Sequence, residues 1–432
     1  MKTLGLDIGT TTISAVVVED AKVLTAITRK NGAFLQSVHS WERVQDPEYI
    51  RATAVGAVEE LLQQYPDVEG IGVTGQMHGI LYLDAHGVPV SPLYTWQDGR
   101  GDQSCGEGKT YTTHLGDLTG YPLATGYGMV THFYNLQNSL VPEKAAVFCT
   151  IQDYLAMVLA GNTVPVTDAS DAASFGVYQL ERSRFDFSAL KKAGISDAML
   201  PSLAQTPCIG YYKGQIPVYA AIGDNQASFL GSAGGESEVM LVNVGTGGQF
   251  SVFTKAYMNC PGLETRPFPG GFLLVGASLC GGRAYALLEM FLRDTVSAMT
   301  GTAPESCYEA MDALLSQGKP EGTPRLVPLF QGTRQDPAQR GSITGLSTEN
   351  FTPRHLVWAM LEGMAEELHG MYLQYQCAGG KPAKLIGSGN GLRRNLHLQN
   401  CISEKFGLPL VMSDCTEEAA AGAALFAAGQ KG

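Results

Sequence analysis

Two short segments of this chain repeat one plan, and the repeat limits the folds that the chain can adopt. Leu4–Thr10 and Leu241–Thr246 each read as an apolar strand that enters a Gly-Thr turn, and a second strand follows each turn. The two copies open the two halves of a chain of 432 residues, which is too long for one compact core. We therefore predict a duplicated α/β domain, with one turn from each half facing a central cleft.

The segments around each copy predict further strands and helices. Apolar residues recur with helical spacing over Pro47–Tyr65. The predicted strands are Thr3–Asp7, Thr11–Val18, Val68–Val73, Leu81–Asp84, Val218–Ile222, Val239–Asn243, Phe250–Phe253 and Ala383–Ile386, and the later helices cover residues 392–406 and Thr416–Ala428, with Thr416 as the N-cap. Pro201–Pro217 is rich in Pro, Gly and polar residues, which favours an inter-domain crossing. We divide the chain there into an N-terminal domain, residues 1–217, and a C-terminal domain, residues 218–432.

Charge and cysteine content argue against several kinds of partner. The formal charge is −12, with acidic residues spread along the chain, so neither nucleic acid nor an anionic membrane is an expected partner. No apolar run is long enough to span a bilayer, and no signal peptide is expected. The nine cysteines are scattered without a Cys-x-x-Cys pair, which is typical of reduced thiols. We expect a cytoplasmic protein without a structural zinc site.

The first turn has the composition of a phosphate-binding site. The chain lacks the Gly-x₄-Gly-Lys-Ser/Thr pattern of a P-loop, so phosphate must be held in another way. A hairpin turn offers backbone amides and threonine hydroxyls to phosphate oxygens, and Asp7 is placed to hold Mg²⁺ through water. An ordinary hairpin is the alternative, but the second turn at Gly245–Gly247 favours a phosphate clamp with two sides.

A third glycine-rich turn, Gly387–Gly391, follows a predicted strand and precedes a predicted helix. Such turns are often only structural, yet this position favours contact with a nucleotide, in particular with its adenosine. Asn395 lies one helical turn further on. The residues predicted to bind ATP are Thr10, Thr11, Thr12, Gly245, Thr246, Gly247, Gly389, Asn390 and Asn395.

Two polar segments predict a sugar site. Gln76 and His78 follow a buried strand and offer donors and acceptors that suit sugar hydroxyls. Trp96, Asp98 and Arg100 place an indole, a carboxylate and a guanidinium close together. An aromatic face suits the C–H surface of a sugar, and planar polar groups suit vicinal hydroxyls. The alternative for Asp98 and Arg100 is an ion pair that only pins a loop.

Asp224 is the predicted catalytic base. It comes just after a predicted strand, where α/β folds commonly present a catalytic carboxylate. Transfer of a phosphoryl group to an alcohol needs a group that accepts the hydroxyl proton. The alternative is a helix N-cap, and both roles are compatible. Asn225, its neighbour, is counted with Asp224 among the residues that contact substrate.

The order of these motifs resembles the FGGY carbohydrate kinases over essentially the whole chain. The resemblance rests on Gly75–Gly79, Trp96–Arg100, Asp168–Ser174, Gly223–Gln226 and the late segment from Arg340 to Glu362. It implies an α/β fold of the actin-like ATPase type, with two ribonuclease-H-like domains around a central ATP/sugar cleft. It also implies ATP and Mg²⁺ as cofactors and a small-molecule sugar as substrate, and it leaves a homodimer open.

Residues carried over from the family agree with those proposed above. Asp224 resembles the catalytic base and Asp7 the metal-associated carboxylate. Met77, His78 and Asp98 match positions of the sugar site. The phosphate-turn threonines and the adenosine contacts of the family match Thr10, Thr11, Thr246, Gly389 and Asn390.

The identity of the sugar is the most specific part of this prediction. Where many members carry Lys-x-x-Trp, this chain has Gly126–Tyr134, and together with Tyr94–Asp98 this variant looks more like the sedoheptulokinases of the family than like its xylulokinases or glycerol kinases. We expect phosphorylation of a terminal hydroxyl on a ketose, with sedoheptulose preferred. A xylulokinase or another sugar or polyol kinase is the nearest alternative. A nucleotide-dependent chaperone or regulator of the same fold is the alternative from another class.

Overall fold

The computed structural model of the chain describes residues 1–234, 236, 238–333, 336, 338–381 and 383–430. These residues form two compact units. The described residues of Met1–Glu236, Arg266–Pro269 and Cys415–Gly432 make up the first unit, and those of Ser237–Thr265 and Gly270–Asp414 make up the second.

The helices are α1 (Pro47–Gln64), α2 (Tyr111–Thr119), α3 (Gly128–Gln137), α4 (Ile151–Leu159), α5 (Ala169–Ser174), α6 (Phe187–Lys192), α7 (Asp224–Ala233), α8 (Gly281–Thr300), α9 (Tyr308–Ser316), α10 (Pro353–Cys377), α11 (Asn390–Arg393), α12 (Leu396–Phe406) and α13 (Glu418–Gly429). Short 3₁₀ helices cover Gly99–Asp102, Leu180–Arg182 and Asp197–Met199.

The strands of the first unit are β1 (Lys2–Ile8), β2 (Thr12–Glu19), β3 (Lys22–Lys30), β4 (Val44–Gln45), β5 (Ile71–Gly75), β6 (Leu81–Leu83), β7 (Leu93–Tyr94), β8 (Ser104–Gly106), β9 (Lys109–Thr110), β10 (Val147–Cys149), β11 (Val166–Thr167), β12 (Tyr178–Gln179), β13 (Arg184–Phe185), β14 (Ser202–Leu203), β15 (Cys208–Tyr212), β16 (Ile216–Tyr219) and β17 (Ile222–Gly223). The later strands are β18 (Val239–Val244), β19 (Gly248–Thr254), β20 (Glu264–Phe268), β21 (Gly271–Ser278), β22 (Arg325–Val327), β23 (Ser342–Thr344), β24 (Lys384–Ser388) and β25 (Leu410–Met412).

The central sheet of the first unit has the order β15-β16-β5-β1-β2-β3, and β17 pairs with β5 beside β16. Strands β1, β2 and β3 are antiparallel neighbours, whereas β5 runs parallel to β1. Side chains alternate between the two faces of a strand, so Leu4, Leu6 and Ile8 point into one core. That core also contains Ile50 of α1 and Leu155 of α4.

The second unit repeats this plan. Its main sheet has the order β20-β21-β19-β18-β24-β25, in which β18, β19 and β21 are antiparallel and β24 runs parallel to β18. In both units a hairpin carries the Gly-Thr turn, a third antiparallel strand extends it, and a parallel strand lies on the other side of its first strand. The repeat predicted from Leu4–Thr10 and Leu241–Thr246 is therefore confirmed at the level of sheet topology.

Helix α13 packs against the opposite face of the first sheet, and glycines make the close approach there. A Cβ atom on Gly5 would overlap the carbonyl oxygen of Ala420, and one on Gly72 would overlap that of Ala423. The same helix meets α7 through Gly231 and Gly422. Backbone therefore lies against backbone along α13, and only glycine fits at these points.

Some predicted elements differ from the structure. The strand expected over Val218–Ile222 is split between β16 and β17, and the helix expected over residues 392–406 is broken at Asn395, which caps α12. Helix α13 begins at Glu418 with Glu417 at the N-cap position, so Thr416 as the N-cap was wrong. Pro201–Pro217 lies within the first unit and supplies β15 to its sheet.

The two compact units also differ from the predicted division at residue 217. Helix α7 and helix α13 pack together, and this keeps both of them with the first unit. Compact units and sequence domains need not have the same boundaries, so the domains 1–217 and 218–432 stay a prediction.

Candidate active site

Three neighbouring strands of the first sheet end at one edge. Strand β5 runs parallel to both β1 and β17, with Ile8 opposite Gly75 and Gly75 opposite Gly223. The residues that follow these strand ends are therefore neighbours as well. They are the turn after Ile8, Gln76 and Asp224, so the sheet brings together three groups that are far apart in the sequence.

The carbonyl groups of the first turn point into the protein. The side chain of Asn31 donates to the carbonyl oxygen of Gly9 at 2.8 Å, and that of Gln45 donates to the carbonyl oxygen of Thr10 at 2.9 Å. In a trans peptide the following N–H points the opposite way. The amides of Thr10 and Thr11 therefore face outward, which is the orientation that a phosphate-binding turn requires.

Asp7 lies at the end of β1, in an acidic environment. The pKa of its carboxyl group is raised from the ordinary 3.8 to about 7, mainly by burial and in addition by the negative charges of Asp224 and Glu417. A cation next to Asp7 would relieve this repulsion, so the residues fit Mg²⁺. In the described residues no three His, Cys, Asp or Glu side chains are grouped closely enough to hold a metal by themselves. Substrate phosphate would have to complete the coordination, as is common for Mg²⁺ in kinases.

The raised pKa of Asp7 gives a prediction about pH and stability. Between pH 3.8 and about 7 the native protein binds more protons at Asp7 than the unfolded chain does, so its stability falls as the pH rises through this window. Without divalent metal, we expect Asp7→Asn to stabilise the protein, with a gain in Tm that grows from pH 4 to 7 and then stays constant. Asp197→Asn, an exposed carboxylate of the same unit, is the control and should show no such trend. Equal effects of the two substitutions at pH 4.5 and pH 7.5 would contradict the electrostatic account.

A chain of hydrogen bonds fixes the start of α7, where Asp224 lies. Asp168 caps α5 and accepts bonds from the amide and the hydroxyl of Ser170, at 2.8 and 2.6 Å. The Ser170 hydroxyl in turn accepts the amide of Gly223 at 3.0 Å. Asn225 donates to the Asp224 carboxylate at 3.1 Å. Asp224 is partly exposed at the first turn of its helix, and the segment Asp168–Ser174 holds the backbone that presents it.

Fully buried carboxylates lie behind this edge. Asp171 accepts a bond from Gln152 at 2.9 Å, and burial, together with the charge of Asp153, holds its pKa well above the ordinary range. Burial also raises the pKa of Asp153 and of Asp168. Asp224 contributes to the rise at Asp171. Carboxyl groups are therefore concentrated around the start of α7, and burial favours the neutral form of those behind it.

His78 is held in an unusual backbone conformation. Its φ is 74°, and its amide donates to the Ser174 hydroxyl at 3.1 Å. The ring nitrogen Nδ1 lies 2.7 Å from the Ser174 carbonyl oxygen, so Nδ1 carries the hydrogen. The ring stacks on Tyr127 with 4.6 Å between centroids. Met77 beside it is buried, and its sulfur would lie only 2.7 Å from a Cβ atom on Gly223.

Asp98 and Arg100 form a buried ion pair. Arg100 Nε donates to Asp98 at 2.6 Å, and the Arg100 side chain also bonds Asn135 and lies 4.0 Å from the ring centroid of Tyr94. The second oxygen of Asp98 accepts the amide of Arg43 at 3.0 Å. Asp98 is 0% exposed, so the structure shows the loop-pinning arrangement weighed above. Direct sugar binding by Asp98 and Arg100 stays a prediction.

Trp96, in contrast, is 46% exposed and is bonded to the phosphate turn. Its indole N–H donates to the Thr10 hydroxyl at 3.0 Å. The Thr10 hydroxyl donates to Gln76 at 3.2 Å. Two residues predicted for the sugar site are therefore joined to a residue predicted for phosphate.

In the second unit, β18 and β24 run parallel and end together, with Asn243 opposite Ser388. The Gly-Thr turn follows β18, and its carbonyl oxygens at Gly245 and Thr246 each accept an amide from the start of α8 at 3.0 Å. Gly389, with φ 87°, lies against the backbone of Val244. The structure thus places these residues at one edge of the sheet, together with Gly247 and the exposed Asn390.

Asn395 has a local role. Its side chain accepts the amide of Leu398 at 2.9 Å and so caps α12. Contact with adenosine stays a prediction for this residue.

The sequence analysis missed Asn31, Gln45 and Glu417. Asn31 and Gln45 are nearly fully buried and orient the first turn, and Glu417 contributes to the charge around Asp7. Asn31 and Gln45 stand in no recognisable motif, and their role depends on contacts across the fold.

Comparisons with known proteins show the family to which the chain belongs. Residues 2–231 match the N-terminal domain, and residues 240–430 the C-terminal domain, of the FGGY family of carbohydrate kinases. The sedoheptulokinase of Mus musculus is 30% identical over 98% of this chain and 96% of that protein. The xylulose kinase of Bacillus subtilis is 24% identical over 98% of this chain and 87% of that protein. The solved xylulose kinase from Rhodospirillum rubrum, 23% identical, has a TM-score of 0.84 and covers 100% of this chain and 90% of its own.

The two family matches define an ATP-dependent kinase that acts on a carbohydrate. The chain belongs to the FGGY family of carbohydrate kinases. The predicted actin-like fold with ribonuclease-H-like domains is confirmed. Within the described part of the chain, none of the helices is both long and apolar enough to cross a membrane.

Proposed function

We propose that this kinase phosphorylates a terminal hydroxyl of a ketose and that sedoheptulose is its preferred substrate. The observation that supports the chemistry most directly is the shared sheet edge, where Asp7, the first turn and Asp224 meet. The choice of sugar is supported by similarity to the sedoheptulokinase of Mus musculus over nearly the whole length of both proteins.

In this proposal Asp224 accepts the proton of the attacking hydroxyl. The outward amides of Thr10 and Thr11 and the hydroxyls of the first turn hold phosphate oxygens. Asp7 holds Mg²⁺, which when bound neutralises charge on the transferred phosphoryl group. The second-unit residues proposed to contact ATP are Gly245, Thr246, Gly247, Gly389 and Asn390.

The sugar lies, in this proposal, against the exposed face of Trp96 and within reach of His78. An indole face suits C–H groups of a sugar, and the stacked ring of His78 adds a polar edge. The hydroxyl that reacts must approach Asp224 closely enough for a hydrogen bond, about 2.6–3.2 Å between heavy atoms. Met77 and Gln76 are buried next to His78 and form part of the protein interior behind the proposed sugar site.

The proposal predicts the outcome of an ADP-release assay with Mg²⁺-ATP and a panel of sedoheptulose, xylulose, ribulose, glycerol and gluconate. We expect sugar-dependent ADP release and the highest kcat/KM for sedoheptulose, at least about tenfold above xylulose, which corresponds to about 1.4 kcal/mol of discrimination. A higher value for xylulose would replace the proposed substrate and keep the reaction. Sugar-independent ATPase activity that responds to a protein partner would support the chaperone or regulator alternative instead.

The cytoplasmic location and the homodimer stay predictions, since the arrangement of the site residues bears on neither of them.

A further inference from the structure

Four hydrogen bonds join the first turn to β4, to the residue that follows β5 and to the loop after β7. Gln45 Nε2 donates to the carbonyl oxygen of Thr10 at 2.9 Å, and Gln76 Nε2 donates to Gln45 Oε1 at 2.9 Å. The Thr10 hydroxyl donates to Gln76 Oε1 at 3.2 Å and accepts the Trp96 indole N–H at 3.0 Å. The first three bonds close a ring through Thr10, Gln45 and Gln76, and Trp96 attaches to that ring from the sugar side.

The donor and acceptor roles in this ring are fully determined. A glutamine side chain has one acceptor oxygen and one donor nitrogen, and both glutamines use both. Gln45 is 0% exposed, so water does not replace a bond that it loses. A buried polar group left without a partner costs about 1–3 kcal/mol. The ring therefore holds the turn in one conformation.

Gln45 and Trp96 are carried by the same small sheet. Strand β4, which ends at Gln45, pairs with β7, and the amide and the hydroxyl of Thr95 both donate to the carbonyl oxygen of Arg43, at 3.1 and 2.8 Å. Asp98 accepts the Arg43 amide and fastens the two segments again. Strand β4, which is fastened to the loop of Trp96, is thus the strand whose Gln45 bonds the backbone of the phosphate turn.

Resting on the proposed function, we propose that Gln45 is a positioning residue for phosphoryl transfer, which aims the amides of the first turn at the phosphates of ATP and links them to the sugar-side loop through Thr10 and Trp96. Gln45 touches neither substrate in this arrangement. It acts through the peptide between Thr10 and Thr11, whose carbonyl oxygen it holds inward and whose N–H it thereby holds outward.

The test uses the full chain with Gln45→Leu, which keeps the side-chain size and removes both bonds. Binding of a non-hydrolysable ATP analogue with Mg²⁺ is measured by calorimetry without sugar, and we expect a Kd about 10- to 100-fold weaker than in the unmodified protein. With the sugar found in the panel, kcat/KM for ATP should fall by a similar factor, while KM for the sugar changes less than about threefold.

Gln103→Leu is the matched control, because Gln103 lies in the same unit and its side-chain nitrogen donates to the carbonyl oxygen of Gly99, at 3.0 Å, away from the first turn. It should leave both measurements unchanged. Trp96→Phe, at an exposed position where folding is not at risk, removes the indole N–H and keeps the aromatic face. Trp96→Phe should weaken binding of the analogue less than Gln45→Leu does. The double variant should bind the analogue more weakly than the sum of the two single effects predicts, because both groups act on Thr10.

Two failures are distinguishable. If the unmodified protein binds no nucleotide or phosphorylates no sugar, the proposed function is wrong. If it does both and Gln45→Leu, still folded at the temperature of the assay, binds the analogue as tightly, the role given to Gln45 is wrong. Fully additive effects of Gln45→Leu and Trp96→Phe on binding of the analogue would likewise contradict the proposed link through Thr10.

Discussion

Replacing Asp224 by asparagine is expected to lower kcat by about 10²–10⁴-fold while nucleotide binding is kept. Asparagine keeps the size of the side chain and the acceptor for the 3.1 Å bond from Asn225, but it does not take up the proton of the sugar hydroxyl. The substitution also removes one of the negative charges that raise the pKa of Asp7. We therefore expect Mg²⁺-ATP to bind at least as tightly as in the unmodified protein.

The measurement is steady-state kinetics with the sugar from the panel, together with calorimetry of the ATP analogue. Asp197→Asn makes the same chemical change at an exposed site and should leave kcat unchanged. A kcat within about threefold of the unmodified value in Asp224→Asn would assign the proton to another acceptor. Loss of analogue binding along with kcat would instead show damage to the fold.

Gly422→Ala is expected to destabilise the first unit by about 1–3 kcal/mol, the cost typical of overpacking. Alanine ordinarily favours a helix over glycine by about 1 kcal/mol, so the expected sign is opposite to that of helix propensity. The reason is geometric, because a Cβ atom at this position would overlap the carbonyl oxygen of Ala227 in α7. Backbone is a neighbour that does not move aside as a flexible side chain does.

Thermal unfolding measures this effect, and a Tm lowered by roughly 3–10 °C is expected for a unit of this size. Gly429→Ala is the control in the same helix, since nothing lies within 4 Å of the Cβ atom it would add. It should leave Tm unchanged or raise it slightly. An unchanged Tm in Gly422→Ala would mean that α13 and α7 separate easily, contrary to the close packing described.

The sequence predicts the fold well where pattern and turn chemistry agree. The hairpins around Gly9 and Gly245 are local, and Asp46 followed by Pro47 marks the start of α1 as clearly in the sequence as in the structure. It fails where distant contacts decide. The residues of β15 show little periodicity, yet they form an edge strand because β16 lies beside them.

The same limit applies to the site. Asp7 is the last residue of a predicted strand, and Gln76 and Asp224 follow two others. The parallel order of those strands brings the three residues together. The ion pair of Asp98 with Arg100 was one of two stated alternatives, and the sequence does not show the side-chain packing that buries it. Gln45 could not be predicted, since its partners lie 31 and 35 positions away and the helix start beside it, Asp46-Pro47, gives no sign of them.

The position of α13 in the chain has a consequence for biosynthesis. This helix lies against β1 and β5, yet a ribosome makes it only after residues 237–414. Until then the face of the nascent sheet that contains Gly5 and Gly72 has no helix against it. Domains that are continuous in sequence commonly fold from the N-terminus during translation. Here the first unit is completed only when α13 has been synthesised. A fragment that stops at Glu236 would lack α13 and would leave the sheet face that α13 covers without this helix.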